Sequence, residues 1–217
     1  MTEESRDHAA EDGDDPGVAA VADRVAAEGW AVQEGFLSPA ETEALAADCR
    51  ELWEDGEFRR AGVGHGADLR VRPEVRSDYV HWVTGEEASS ELARYLGRVE
   101  ALRRTLNRRL YLGLFDFEAH LTVYPPGAFY AKHLDRFRSV SYRTVSVLLY
   151  LNRDWRADDG GALRIYLDAE GAEDGPTVDV APRGGTLVAF LSGRFHHEVL
   201  PARRERMSVT GWLKVRT

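Results

Sequence analysis

Three residues could hold a metal. His133 and Asp135 flank Leu134 in an alternating stretch, and residues two apart on a strand share one face. An imidazole and a carboxylate would therefore project together. A third ligand must come from elsewhere, and Phe195-His196-His197-Glu198-Val199 offers His197. Alternation lets only one of the two adjacent histidines face inward. Two histidines and one carboxylate on one side of a metal leave three positions open, which suits non-haem Fe(II) working with a chelating co-substrate and O2. The same donors also bind zinc, so a hydrolase or a non-catalytic metal sensor remains open at this point. Arg206 narrows the choice. It follows His197 by nine residues and has apolar strand neighbours in Met207, Val209 and Trp212. An arginine in such company requires an anion, and its planar fork matches a carboxylate. A simple metal site leaves that cation unexplained, and the spacing to Arg206 selects His197 over His196 as the ligand.

These residues need a scaffold that brings distant strands together. Residues 1–16 are acidic and polar, which predicts a disordered tail. Val18, Val21 and Val25 recur at helical spacing from Gly17 to about Gly29. Residues 30–37 read as a short strand. Ser38, Pro39 and Glu41 form a capping-box start for a helix reaching about Gly56. Residues 59–74, with Gly62, Gly64, Gly66 and Pro73, read as a long loop. A strand over 79–83 and a long helix over 86–109 follow. The period then changes, and strands are expected at 113–124, 128–135, 143–151, 162–167, 177–180, 185–191, 197–200 and 206–215. Helices first and then eight strands predict a mainly β fold, a double-stranded β-helix (a cupin-like jelly roll) with supporting N-terminal α-helices. The expected organisation is one domain over 17–217, with helical support at 17–110 and the jelly-roll core at 111–217.

With these motifs in place, the chain resembles the 2-oxoglutarate- and Fe(II)-dependent prolyl 4-hydroxylases, nearest the hypoxia-sensing prolyl hydroxylases and their bacterial relatives. The resemblance covers roughly residues 30–215. It rests on His133-x-Asp135, on His197-Glu198-Val199-x-Pro201 with Arg206, on Tyr150-Leu151-Asn152-x-Asp154-Trp155, and on Gly160-Gly161-x-Leu163-Arg164-Ile165. It implies that His133, Asp135 and His197 bind iron, and that Arg206 and Tyr150 hold the far carboxylate of 2-oxoglutarate. It places Tyr124 near the metal-binding end of the co-substrate, and Thr210 and Trp212 along its pocket. On the substrate side it implies Arg76, Asp78 and Trp82, with Arg143 able to pair with Asp78. The implied co-substrates are 2-oxoglutarate and O2, with L-ascorbate (vitamin C) to rescue oxidised iron, and the implied substrate is a protein or peptide containing proline. Asp135 argues against a halogenase, which vacates that position for halide. Two features depart from the pattern. His120 stands where the hypoxia-sensing enzymes carry an apolar residue, and the 59–74 loop has its own sequence, which leaves a small-molecule substrate open.

Composition fits this reading. Of 217 residues 43% are hydrophobic, ordinary for a globular chain, and a net charge of −9 argues against a broad nucleic-acid-binding face. No apolar run approaches the ~20 residues that span a bilayer, so no membrane partner is expected. A single cysteine, Cys49, excludes an intrachain disulfide and suits the reducing cytoplasm.

Overall fold

Capping sets the first elements of the computed structural model, which describes residues 15–64, 69–84, 88–135, 142–168 and 171–216. The expected tail lies outside the described residues up to position 14. Asp15 and Pro16 belong instead to the first helix: the Asp15 carboxylate accepts from Gly17 N at 2.8 Å, Pro16 opens α1 (Pro16–Glu28), and Gly29 at φ 87° ends it. The strand expected over 30–37 is shorter, β1 (Trp30–Gln33), because the chain turns at Gly35 with φ 65°. Ser38 and Glu41 form the capping box that starts α2 (Pro39–Glu54). The 59–74 stretch is not simply a loop. Arg59 and Arg60 form β2 (Arg59–Arg60) against β3 (Tyr79–Trp82), and Val63 bridges Arg70. Pairing there satisfies the free edge of β3, a tertiary demand invisible in two adjacent arginines. Ser89 caps α3 (Ser90–Leu110), which buries Leu92, Tyr95, Val99, Leu102 and Leu106 along one side.

The remaining strands are β4 (Leu114–Tyr124), β5 (Tyr130–His133), β6 (Arg143–Tyr150), β7 (Leu163–Tyr166), β8 (Thr177–Val180), β9 (Leu187–Leu191), β10 (His197–Val199) and β11 (Arg206–Val215). They divide between a seven-stranded sheet, order β1-β9-β6-β11-β4-β3-β2, and a four-stranded sheet, order β5-β10-β7-β8, with antiparallel ladders throughout. The eight strands from β4 to β11 supply four to each sheet. This is the double-stranded β-helix the strand count predicts. The stretch before residue 111 adds β1, β2 and β3 to the large sheet as well as the helices.

Alternation along the large sheet separates two hydrophobic layers. Leu121, Val123, Val145, Val147, Leu149, Leu187, Ala189, Val209 and Leu213 face the helices and pack with Val21, Leu45, Val99 and Leu102. Tyr124, Leu148, Tyr150, Val188 and Phe190 face the small sheet and pack with Leu163, Ile165 and Val199. Burial of each such aliphatic side chain contributes roughly 1.5–3 kcal/mol. The outer layer packs the large sheet against the helices, and the inner layer leaves room for polar residues at selected points.

Candidate active site

His133 ends β5 and His197 begins β10, and the two lie opposite each other in the antiparallel ladder. Asp135 follows two residues after His133. Its Oδ1 lies 3.6 Å from His133 Nε2 and its Oδ2 3.5 Å from His197 Nε2. The three ligand atoms fall within 4.8 Å of one another, and among the described residues no other such metal-competent group occurs. The imidazoles are oriented for ligation. His133 Nδ1 lies 2.8 Å from the Ala131 carbonyl and His197 Nδ1 3.1 Å from the Phe195 carbonyl. A carbonyl only accepts, so Nδ1 carries the proton and the Nε2 lone pair is left for the metal. Burial, with His133 nearby, pushes His197 down to about 4 and keeps it neutral. Burial also raises Asp135, but His197, His133 and a hydrogen bond from Ser146 outweigh it and hold the carboxyl well below the usual range.

The closed end of the pocket is set by cross-strand register. Arg206 on β11 lies directly opposite Tyr124 on β4, and Ser208 lies opposite Tyr150 on β6. The Arg206 guanidinium sits 4.9 Å from the Tyr124 ring and 5.0 Å from the Tyr150 ring. Arg206 is 1% exposed, and its Nε donates to the Gly161 carbonyl at 3.0 Å. Its Nη2 and the Tyr150 hydroxyl are both buried without a hydrogen-bond partner. No acidic side chain pairs with Arg206 among the described residues. Burial pushes the Tyr150 phenol up to about 12, against the pull of Arg206, so it stays a donor. The Arg206 guanidinium lines the pocket with Nη2 unsatisfied, and the orphaned Tyr150 hydroxyl belongs to a ring packed beside that guanidinium, an arrangement that suits a carboxylate. The cavity is about 100 Å³ and also touches the triad, Thr210, Trp212, His120 and Arg76. The residues present therefore fit both Fe(II) and 2-oxoglutarate.

Tyr124 lines the pocket, lies against Arg206 and is also close to Arg76, Asp78 and Tyr130. The substrate-side expectation changes. Asp78 does not pair with Arg143. It is 1% exposed and takes a bidentate contact from Arg76, with Nε to Oδ1 at 2.7 Å and Nη2 to Oδ2 at 2.5 Å. Arg143 turns instead to Glu118 at 2.8 Å and stacks 3.5 Å from the Trp212 ring centroid. The reason is register: Glu118 and Trp212 are cross-strand partners, and Arg143 is brought beside them on β6. Trp82, 37% exposed, packs its ring edge-on against His120 at 4.9 Å. His120 is buried, hydrogen-bonds Thr122 at 2.8 Å, and is pushed down to about 3 by burial and by Arg76 and Arg143. His196 points away from the triad and packs against Gly171.

Three residues at the site escape sequence reasoning. Ser146 donates to Asp135 Oδ2 at 2.6 Å and lies 2.8 Å from Ser192 Oγ, both serines fully buried. Tyr130 stacks on His133 with 3.6 Å between ring centroids. A serine on the inward face of an otherwise apolar strand was the available signal for Ser146. Nothing in the sequence singles out Ser192 or Tyr130.

Comparison with known proteins agrees with this geometry. The model of the 2OG-Fe(II) oxygenase superfamily matches residues 119–214. Human Egl nine homolog 1 is 28% identical over 193 residues, covering 85% of this chain and 43% of that protein. The chain spans about half the length of the curated relatives it matches. A Pseudomonas putida prolyl-4-hydroxylase structure superposes with a TM-score of 0.81 at 44% identity, covering 92% of this chain and 100% of the other. A Trichoplax adhaerens prolyl hydroxylase, solved with a hypoxia inducible factor peptide fragment, gives 0.79 at 28% identity, covering 91% and 88%. Triad, fold and relatives together place this chain in the 2OG-Fe(II) oxygenase superfamily, as a member closely related to the prolyl hydroxylases.

Proposed function

We propose that this protein is a 2-oxoglutarate- and Fe(II)-dependent dioxygenase that hydroxylates a proline, at C4, in a protein or peptide. The observation that carries the reading is Arg206, a buried cation with no acidic partner among the described residues, in the same pocket as the His133–Asp135–His197 triad. A metal site alone gives no reason to bury an unpaired guanidinium, whose desolvation costs several kcal/mol. Fe(II) with 2-oxoglutarate and O2 supplies the oxidising power that converts a C–H bond to C–OH, releasing succinate and CO2.

The chain's own groups hold and orient. His133, Asp135 and His197 would hold the metal. Arg206 and Tyr150 anchor the far carboxylate, with Tyr124, Thr210 and Trp212 along the co-substrate's flank. Ser146 fixes the Asp135 carboxylate. The hydrophobic inner layer, with Leu148, Leu163 and Val199, excludes water from the co-substrate. The proline segment enters past Arg76, Trp82, Arg143 and the Gly62–Gly64 lip. L-Ascorbate is the proposed reductant that would keep a bound metal ferrous. The relative solved with a peptide fragment supports a peptide substrate. The cytoplasm is the proposed compartment, in keeping with the buried free thiol of Cys49. Among the described residues no helix is long and apolar enough to cross a membrane.

The test is succinate production by anaerobically purified protein given Fe(II), 2-oxoglutarate, ascorbate and then O2, with proline-containing peptides in one arm and free amino acids in another. Peptide-stimulated succinate with one oxygen atom added to a prolyl residue is the expected result. Stimulation by a free amino acid alone would replace the peptide substrate with a small molecule. No succinate from metal-loaded protein in any arm would overturn the oxygenase reading.

A further inference from the structure

His133 sits on a short edge strand. β5 has four residues, lies at the edge of the small sheet, and pairs with β10 in a register that shifts between His197 and Val199. Its hydrogen bond to the Ala131 carbonyl fixes one direction of the imidazole but leaves the tilt of the ring plane to its neighbours. The Tyr130 ring lies on that plane, with centroids 3.6 Å apart and an interplanar angle of 16°. The stacked imidazole covers one face of Tyr130, and the Arg76 guanidinium lies over the ring 4.2 Å from its centroid. Arg76 is locked in turn by both oxygens of buried Asp78.

The backbone reinforces the column. Arg76 and Tyr130 form an antiparallel bridge, and Ala131 N donates to the Val75 carbonyl at 2.8 Å. Ser77 N donates to the Phe129 carbonyl at 3.0 Å, and Phe129 N donates to Ser77 Oγ at 3.1 Å. Residues 75–77 thus supply the free edge of β5 with its missing partner.

We propose that Arg76 is a positioning residue for the metal ligand His133, acting through the ring of Tyr130. The proposal rests on the triad binding a metal, as in the function above, but not on turnover. The stack restricts the imidazole tilt before metal arrives, and the Arg76–Asp78 pair prevents the Tyr130 ring from swinging away. Groups that orient a ligand in this way typically change metal affinity about 10–100-fold when removed. The substrate-side arginine is thereby part of the metal site's support.

The test uses the full chain and Co(II) as the probe, reading its dissociation constant and visible d–d bands, with circular dichroism and Tm as checks on folding. Tyr130→Leu is expected to weaken Co(II) binding on the order of ten-fold and shift the bands. Tyr130→Phe keeps the ring and should restore both. Arg76→Lys retains a charge facing Asp78 without the planar fork and should weaken binding several-fold. The same change in the Tyr130→Leu background should add nothing. If Arg76→Lys does not fold, the pair Arg76→Leu with Asp78→Leu removes both buried charges together and should show the same weakening. Wild-type affinity and bands in folded Tyr130→Leu, or an Arg76 effect that persists undiminished without the Tyr130 ring, would overturn the proposal. Metal binding without succinate production in the wild type would count against the oxygenase reading and leave this one standing.

Discussion

Replacing Arg206 with methionine removes the cation at the closed end of the pocket while keeping a long apolar stem. Two effects should diverge. Without co-substrate, the wild-type protein carries a guanidinium that is 1% exposed and has no acidic partner among the described residues, with Nη2 unsatisfied. Removing it ends that penalty of several kcal/mol and forfeits one charge-assisted hydrogen bond, Nε to the Gly161 carbonyl at 3.0 Å, worth about 1.5–3 kcal/mol, together with the contacts to the Tyr124 and Tyr150 rings. The metal-free variant should therefore melt at or above the wild-type temperature. With co-substrate the sign reverses. A carboxylate left without its buried cation loses about 2–5 kcal/mol of binding. About 3 kcal/mol corresponds to roughly 150-fold in Kd. The assay is anaerobic calorimetric titration of the Fe(II) protein with 2-oxoglutarate, paired with thermal melts of the metal-free protein. Unchanged 2-oxoglutarate affinity would show that the anchor lies elsewhere. A variant destabilised by several kcal/mol before any ligand is added would show that Arg206 is a structural cation.

Other perturbations separate the remaining roles. Asp135→Ala should abolish metal-dependent succinate formation, and turnover at the wild-type rate would refute the triad. Ser146→Ala frees the Asp135 carboxylate from its 2.6 Å hydrogen bond and should weaken metal binding on the order of ten-fold with little change in Tm, read by Co(II) titration. His120 has a folded-state value of about 3 against an ordinary 6.5, so the unfolded chain binds the extra proton and stability falls as pH drops from 6.5 toward 3. At pH 5 this amounts to roughly 2 kcal/mol, and His120→Leu should flatten that part of the stability–pH curve in urea melts. Cys49 is buried and its thiol is pushed up to about 12, chiefly by burial, so a disulfide reagent should label it only on unfolding. Rapid labelling of the native protein would show that the helical layer opens.

Much of the scaffold is legible in the chain because its causes are local. The strand expected over 206–215 has those same bounds in the structure, and the capping box at Ser38 and Glu41 opens its helix as read. His133 and Asp135 meet because they are neighbours in sequence, and the inward faces of β4, β6 and β11 follow from a two-residue period. The failures share a different cause. β2 forms because β3 offers a free edge, not because Arg59 and Arg60 favour a strand. Ser192 reaches Ser146 across the β6–β9 region from a turn with no distinguishing pattern.

Ligand types, the buried arginine and the alternating faces belong to the chain itself, since side-chain chemistry and backbone period are properties of a few consecutive residues. Partner choice belongs to the folded molecule. Asp78 could have met Arg76 or Arg143, and the register of β11 between β4 and β6 sends Arg143 to Glu118 and Trp212. The stack of Arg76 on Tyr130 and Tyr130 on His133 likewise exists only once residues 75–77 lie along β5. Sheet order and register are settled by packing summed over the whole core, and no local stretch of sequence carries that sum.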